Sequence, residues 1–229
     1  MRWSFLGSIY PLYLNALEQS TQWDANWDGL ESLKDSTKVR RHIVLVRHGQ
    51  YCHNKDIPIE QVLTKLGRQQ AQMTGLRMLE CRLQFDRVIQ SDLIRAKQTA
   101  AIIAPIINAK KIDTDPDLNE GFPCVPDPCF SNSLKDRGND SYHRIERAFK
   151  RYFHRPTGDQ NRTTYDLIVC HANVIRYFVC RALQLPGDAW LRFSVNHGSY
   201  VWITILSDGR VILRQYSNCG YMPMSLISK

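Results

Sequence analysis

The run His42-Ile43-Val44-Leu45-Val46, followed at once by Arg47-His48-Gly49, constrains this chain more than any other stretch. An unbroken apolar, β-branched run suits a strand buried on both faces, which occurs where helices cover both sides of a largely parallel sheet. Similar runs lie at Phe85–Gln90 and Tyr165–Cys170, with more alternating ones at Tyr200–Leu206 and Val211–Tyr216. Helical patterns separate them. Leu66, Met73, Leu76 and Leu79 fall near one helix face behind Thr64, a suitable N-cap. Ala96–Ile107 and Val174–Leu183 read as further helices, the second buried through Ile175, Tyr177, Phe178 and Val179. Asp208-Gly209 predicts a tight hairpin between the last two strands. Strands alternating with helices of this length predict a layered α/β domain with a largely parallel sheet. The proline-rich, polar stretch 121–140 predicts a surface loop.

Ligands of such sheets bind at the carboxyl ends of the strands. Three strands end there in reactive residue types: Arg47-His48-Gly49, Ser91-Asp92 just before Arg95, and His171. One terminal histidine alone is commonly structural; three polar clusters at one edge point to a site. The formal charge of +8 agrees, because residues 1–40 carry four basic groups against five acidic ones, leaving the excess on the remainder. A basic face suits acidic partners, although charge alone equally describes a soluble basic surface. No basic–aromatic module accompanies it, so nucleic acid is not expected as a partner. The seven cysteines form no CxxC pair and no zinc spacing, and Cys170 and Cys180 lie inside apolar runs. Reduced thiols in a reducing compartment follow, with no metal and no cofactor expected.

The N-terminal part divides in two. Residues 1–17 are apolar but interrupted by Pro11 and Asn15, and shorter than the roughly 20 residues that span hydrocarbon; membrane anchor and docking segment both remain open. Residues 18–40 form a polar linker holding Trp23-Asp24-Ala25-Asn26-Trp27-Asp28. Exposed tryptophans need a cover, either the chain's own domain or a neighbouring chain.

The motif Arg47-His48-Gly49 resembles the signature of the histidine phosphatase superfamily, the phosphoglycerate-mutase-like enzymes. The likeness extends over 41–229: Leu63-Thr64-Lys65-Leu66-Gly67 with Gln70-Ala71, Ser91-Asp92-Leu93-Ile94-Arg95-Ala96 with Gln98-Thr99-Ala100, Asn119-Glu120-Gly121, and Cys170-His171-Ala172 follow in the family's order. It implies a three-layer α/β fold with a mostly parallel central sheet flanked by helices. It implies His48 as nucleophile, Glu120 as general acid and base, and Arg47, Arg95 and His171 as phosphate-binding catalytic residues. Asn54 and Asn173 would complete the phosphate pocket. The chemistry suits these types. Guanidinium forks match phosphate geometry, and a neutral imidazole can hold a phosphoryl group as phosphohistidine. Gly49 would let a phosphate approach closely. His42, His53, His143, His154 and His197 have no partner motif and read as structural.

The short span between Glu120 and His171 favours the phosphatase side over the mutase side. The stretches 170–184 and 190–192, with Gly220-Tyr221-Met222-Pro223, are similar to the mitochondrial serine/threonine protein phosphatases of the phosphoglycerate mutase family. So is the tryptophan cluster, whose Trp23, Asp24, Asn26, Trp27 and Asp28 match that family's Trp-Asp-x-Asn-Trp-Asp multimerisation motif. The resemblance implies phosphoserine and phosphothreonine proteins as substrates and a homodimer that joins into larger, activated homo-oligomers, its tryptophans docked on another subunit. It also implies an anchor in a mitochondrial membrane, the outer one. Asn119 departs from the pattern, standing where a basic residue is common. Two other readings compete: a small-molecule phosphomonoesterase, and a multimerising scaffold with incidental catalysis.

Overall fold

The computed structural model of the 229-residue chain describes residues 22–30, 39–52, 61–135 and 141–229. The apolar segment 1–17, much of the linker, His53 and Asn54 lie outside these residues.

The expected parallel run forms the centre of a six-stranded sheet ordered β3-β2-β4-β1-β5-β6. Strand β1 (Arg40–Arg47) pairs in parallel with β4 (Thr164–Cys170), and β4 with β2 (Arg87–Gln90). The alternating runs, β5 (Tyr200–Leu206) and β6 (Val211–Asn218), add an antiparallel flank beside β1. Ile43 to Val46 and Leu167 to Cys170 are completely buried, as continuous apolar strands must be when both faces are covered. Strand β2 starts at Arg87, two residues later than its pattern suggested, and the short edge strand β3 (Ile112–Thr114) had no such pattern.

Helices α1 (Lys65–Glu80) and α2 (Ile94–Ile106) cover one face; α3 (Tyr142–Tyr152) and α4 (Ala172–Ala182) cover the other. Thr64 caps α1, its hydroxyl accepting from Gly67 N at 3.0 Å. The buried face of α1 is not the leucine stripe. Gly67, Gln70, Ala71, Thr74, Gly75 and Met78 face inward, while Leu76 and Leu79 are 41% and 49% exposed. The reason is close approach: a Cβ on Gly75 would lie 2.8 Å from Ile106 Cδ1, so small residues set this helix contact. Thr74 remains satisfied there by bonding the Gly198 carbonyl at 2.7 Å. The described part of the expected surface loop, 121–135, is less superficial than expected. Phe122 is 7% exposed and meets Trp190 edge-on at 5.5 Å, and Trp190 donates to Cys124 O.

The tryptophan segment packs against its own domain. Trp27 Nε1 donates to Gly209 O at 2.7 Å, and its ring lies 6.2 Å from Phe149 of α3. Asp28 and Arg155 form an ion pair at 2.6 Å, each side chain 1% exposed. Gly209 serves turn and dock together: its φ is +85°, and a Cβ there would meet Arg155 Nη2 at 2.8 Å and Ala25 O at 2.9 Å. Asp24 N and Asp24 O are both bonded by the Gln184 amide.

Candidate active site

The carboxyl ends of β1, β2 and β4 are neighbours, so the three polar clusters meet above the middle of the sheet. Beyond β1, His48 is held by its backbone N donating to Cys170 O at 3.0 Å. Its Nδ1 lies 2.8 Å from the carbonyl of Gly49. A carbonyl can only accept, so Nδ1 carries the proton and Nε2 keeps its lone pair. Arg95, in the first turn of α2, donates from Nε to that lone pair at 3.2 Å. Tyr51 stacks on Arg95 at 4.9 Å, and Gln61 accepts from its Nη1 at 2.6 Å.

Packing adds its own requirement for Gly49. A Cβ there would sit 2.3 Å from Gly67 O, inside the start of α1. The backbone after His48 therefore packs on the backbone of α1, and neither residue can carry a side chain.

Arg47 sends Nη1 to Val195 O and Nη2 to His197 Nε2 at 2.8 Å, leaving its buried Nε with no protein partner. Burial, opposed by Glu120 and reinforced by Arg176 and Arg95, brings Arg47 down to about 10, still charged at neutral pH. His171 is fully buried at the N-cap of α4, its ring centroid 5.0 Å from that of His48. Burial lowers both imidazoles well below the usual histidine range, with the surrounding arginines adding to it, so both are neutral. The helix starts at Arg95 and His171 add positive dipole ends.

Glu120 follows β3 on a loop pinned by Arg144, whose guanidinium bonds the carbonyls of Asp117 at 2.8 Å and Asn119 at 2.7 Å. Burial raises the Glu120 carboxyl above the usual range, against lowering by Gly121 N–H, Arg95 and Arg47. A raised carboxyl beside two guanidinium groups is suited to hold a proton and then release it. Asn173 braces this loop: Nδ2 donates to Gly121 O at 3.0 Å, and Oδ1 accepts from Arg176. Thus His48, Arg47, Arg95, His171 and Glu120 converge, and Asn173 supports the acid loop.

Sequence reasoning missed His197. It stands 5.6 Å from His48, ring to ring, and burial beside Arg47 pushes it to about 3. The available signal was its place just before Tyr200, because the start of antiparallel β5 adjoins the end of β1. That needs the topology first. Tyr51, Gln61 and Arg144 were likewise invisible as site residues.

A family model described as the histidine phosphatase superfamily, branch 1, matches residues 43–123 and 129–218. The chain is 40% identical over 233 residues to the mitochondrial serine/threonine-protein phosphatase Pgam5 of Drosophila grimshawi, covering 90% of this chain and 80% of that one. It is 38% identical to the Mus musculus protein of that name, covering 96% and 84%. Among solved structures, a phosphoglycerate mutase from Plasmodium falciparum superposes with a TM-score of 0.58 at 34% identity, covering 81% of this chain and 96% of that one. An alpha-ribazole phosphatase from Shigella flexneri shares the fold, with a TM-score of 0.60 at 23% identity over 77% of this chain and 96% of that one.

Proposed function

The chain belongs to the histidine phosphatase superfamily, branch 1, and from that premise we propose that it hydrolyses phosphoserine and phosphothreonine on proteins through a phosphohistidine on His48. The observation that carries the mechanism is the fixed tautomer of His48. With Nδ1 bound to Gly49 O, the Nε2 lone pair faces Arg95. A phosphoryl group held by Arg47, Arg95 and His171 lies where that lone pair can attack phosphorus in line. As the N–P bond forms and the P–O bond to the serine or threonine oxygen breaks, Glu120 gives its proton to the departing oxygen. Water then attacks the phosphohistidine and Glu120 takes its proton. The N–P bond breaks and inorganic phosphate leaves. The relatives' shared name supports protein substrates and a mitochondrial location, and an outer-membrane anchor through residues 1–17 completes the reading. Among the described residues no helix is long and apolar enough to cross a membrane.

Activation by multimerisation belongs to the same proposal. A segment that binds its own chain through Trp27, Asp28, Asp24 and their partners can bind an identical chain by the same contacts, which is the usual route of exchange between protomers. Trp27 packs on Phe149 of α3, and α3 also carries Arg144, the clamp of the Glu120 loop. Filling the dock therefore steadies the acid.

Substrate class is tested by comparing kcat/KM for phosphoserine peptides and small phosphoesters, in the wild type and His48→Ala. Peptide preference is expected, with His48→Ala at least roughly a thousandfold slower. A strong preference for metabolites would remove the protein-phosphatase reading.

A further inference from the structure

Asn119 stands next to the acid, yet its side chain turns away toward the end of β2. Its Oδ1 accepts from the backbone N–H of Asp92 at 2.9 Å and lies 2.7 Å from Ser91 Oγ. Ser91 Oγ also accepts from Leu93 N at 3.2 Å and lies 2.7 Å from His171 Nε2. The protons in this chain can be assigned one by one. The amide of Asp92 can only donate, so the Asn119 atom facing it is the carbonyl oxygen, which can only accept. Ser91 must then give its single proton to Asn119. With that proton committed, Ser91 can only accept from His171, so neutral His171 carries its hydrogen on Nε2. Its Nδ1 is bare, buried, and without a protein partner.

A phosphoryl oxygen can only accept. Since Nε2 is occupied by Ser91, His171 can hydrogen-bond a phosphoryl group only through Nδ1, and only after Nδ1 gains a proton. We propose that Asn119, acting through Ser91, holds His171 in the tautomer with bare Nδ1, so that a phosphoryl dianion binds together with one proton taken from solvent onto Nδ1. Asn119 and Ser91 are positioning residues; His171 is the group that touches the ligand.

The charged and titratable groups around His171 fit this coupling. Arg95 reaches it from α2, Arg47 and His48 from the end of β1, and Arg144 from α3, with the Glu120 carboxyl on the acid loop beside Arg47 and Arg95. These cations oppose an imidazolium at His171. A bound dianion reverses the local field and makes the second positive ring favourable. Association then carries a pH dependence that neither the substrate nor the arginines would impose alone.

This inference rests on the proposed phosphate site, so the test reads binding without turnover. Tungstate, a tetrahedral dianion that does not titrate near neutral pH, is titrated into the protein by calorimetry at pH 8 in buffers of different ionisation enthalpy, giving protons taken up per anion. The wild type is expected to take up close to one more proton than Asn119→Ala or Ser91→Ala. In the first variant Ser91 is released to donate to His171, and in the second nothing fixes the tautomer. Ser91→Thr, which keeps the hydroxyl, is expected to restore the uptake. Neither Ser91 nor Asn119 bonds His48, so the difference isolates His171. Equal proton uptake in the wild type and both alanine variants, with tungstate still bound, would overturn this inference alone. Failure of tungstate to bind the wild type would overturn it together with the phosphate site.

Discussion

Glu120→Gln removes the transferable proton while keeping the shape and the hydrogen bond from Gly121 N, 3.2 Å from Glu120 Oε1. Positioned acids and bases contribute roughly 10²–10⁴ in rate. The leaving group of the proposed reaction is a serine or threonine alkoxide, which departs poorly without a proton, and burial raises the Glu120 carboxyl above the usual range, which favours its acid form. A loss near the middle of that range follows, about 10³ in kcat/KM on a phosphoserine peptide, or about 4 kcal/mol at 1.36 kcal/mol per tenfold. With p-nitrophenyl phosphate the leaving group needs no proton, so kcat/KM should fall by less than about tenfold. The second step still lacks its base. Stopped-flow mixing of the variant with p-nitrophenyl phosphate should therefore show a burst of nitrophenol close to one equivalent, followed by slow turnover. The sign of the pH effect follows from the same shift. Wild-type activity on peptides is lost as pH rises through the raised value of Glu120, because the acid form is consumed, and the variant should lose that limb. An equal fall on both substrates, without a burst, would refute the assignment.

Asp28→Ala leaves the Arg155 guanidinium buried without its carboxylate, a change that costs about 3–5 kcal/mol where a buried pair is broken, read as a lower urea midpoint. Burial acts to raise Asp28 but Arg155 outweighs it and holds the carboxyl low, so this stabilisation is present above the unfolded carboxylate value near about 3.9 and is lost as pH falls through the lower folded value. The stability difference between the wild type and Asp28→Ala should accordingly shrink as pH falls through that lower value, and a difference independent of pH would count against the pair. Gly49→Ala forces backbone apart at 2.3 Å and should cost at least about 1–3 kcal/mol, seen as a lower Tm together with a loss of activity. Trp27→Ala should shrink the assembly on a light-scattering column and lower the phosphopeptide rate; unchanged size and rate would end the multimerisation proposal.

Most of the sheet was legible because β1 and β4 announce themselves as unbroken apolar runs, and their two-sided burial demands helical layers. Strand β3 was not, since its Ile112-Asp113-Thr114 is short, edge-placed and polar. The inward face of α1 misled for a physical reason: where helices approach closely, Gly75 and Ala71 make the contact, and the larger leucines are displaced outward. Helix α3 went unseen between two loops, although Ile145, Ala148 and Phe149 bury one of its faces. At the site, residues fixed by strand ends were readable from their motifs. His197, Tyr51 and Gln61 reach it only through the antiparallel flank and loop packing, which no local spacing encodes. The dock of Trp27 and Asp28 depended on Arg155 and Gly209, more than a hundred positions away.

Two successive in-line displacements at phosphorus, the first by His48 and the second by water, restore the original configuration, whereas a single direct attack by water inverts it. Hydrolysis of a phosphorothioate peptide made chiral at phosphorus by sulfur and two oxygen isotopes, in water of the third isotope, yields a chiral thiophosphate and therefore reads the central claim directly. Retention of configuration is the predicted result. Inversion would mean that no phosphohistidine lies on the path.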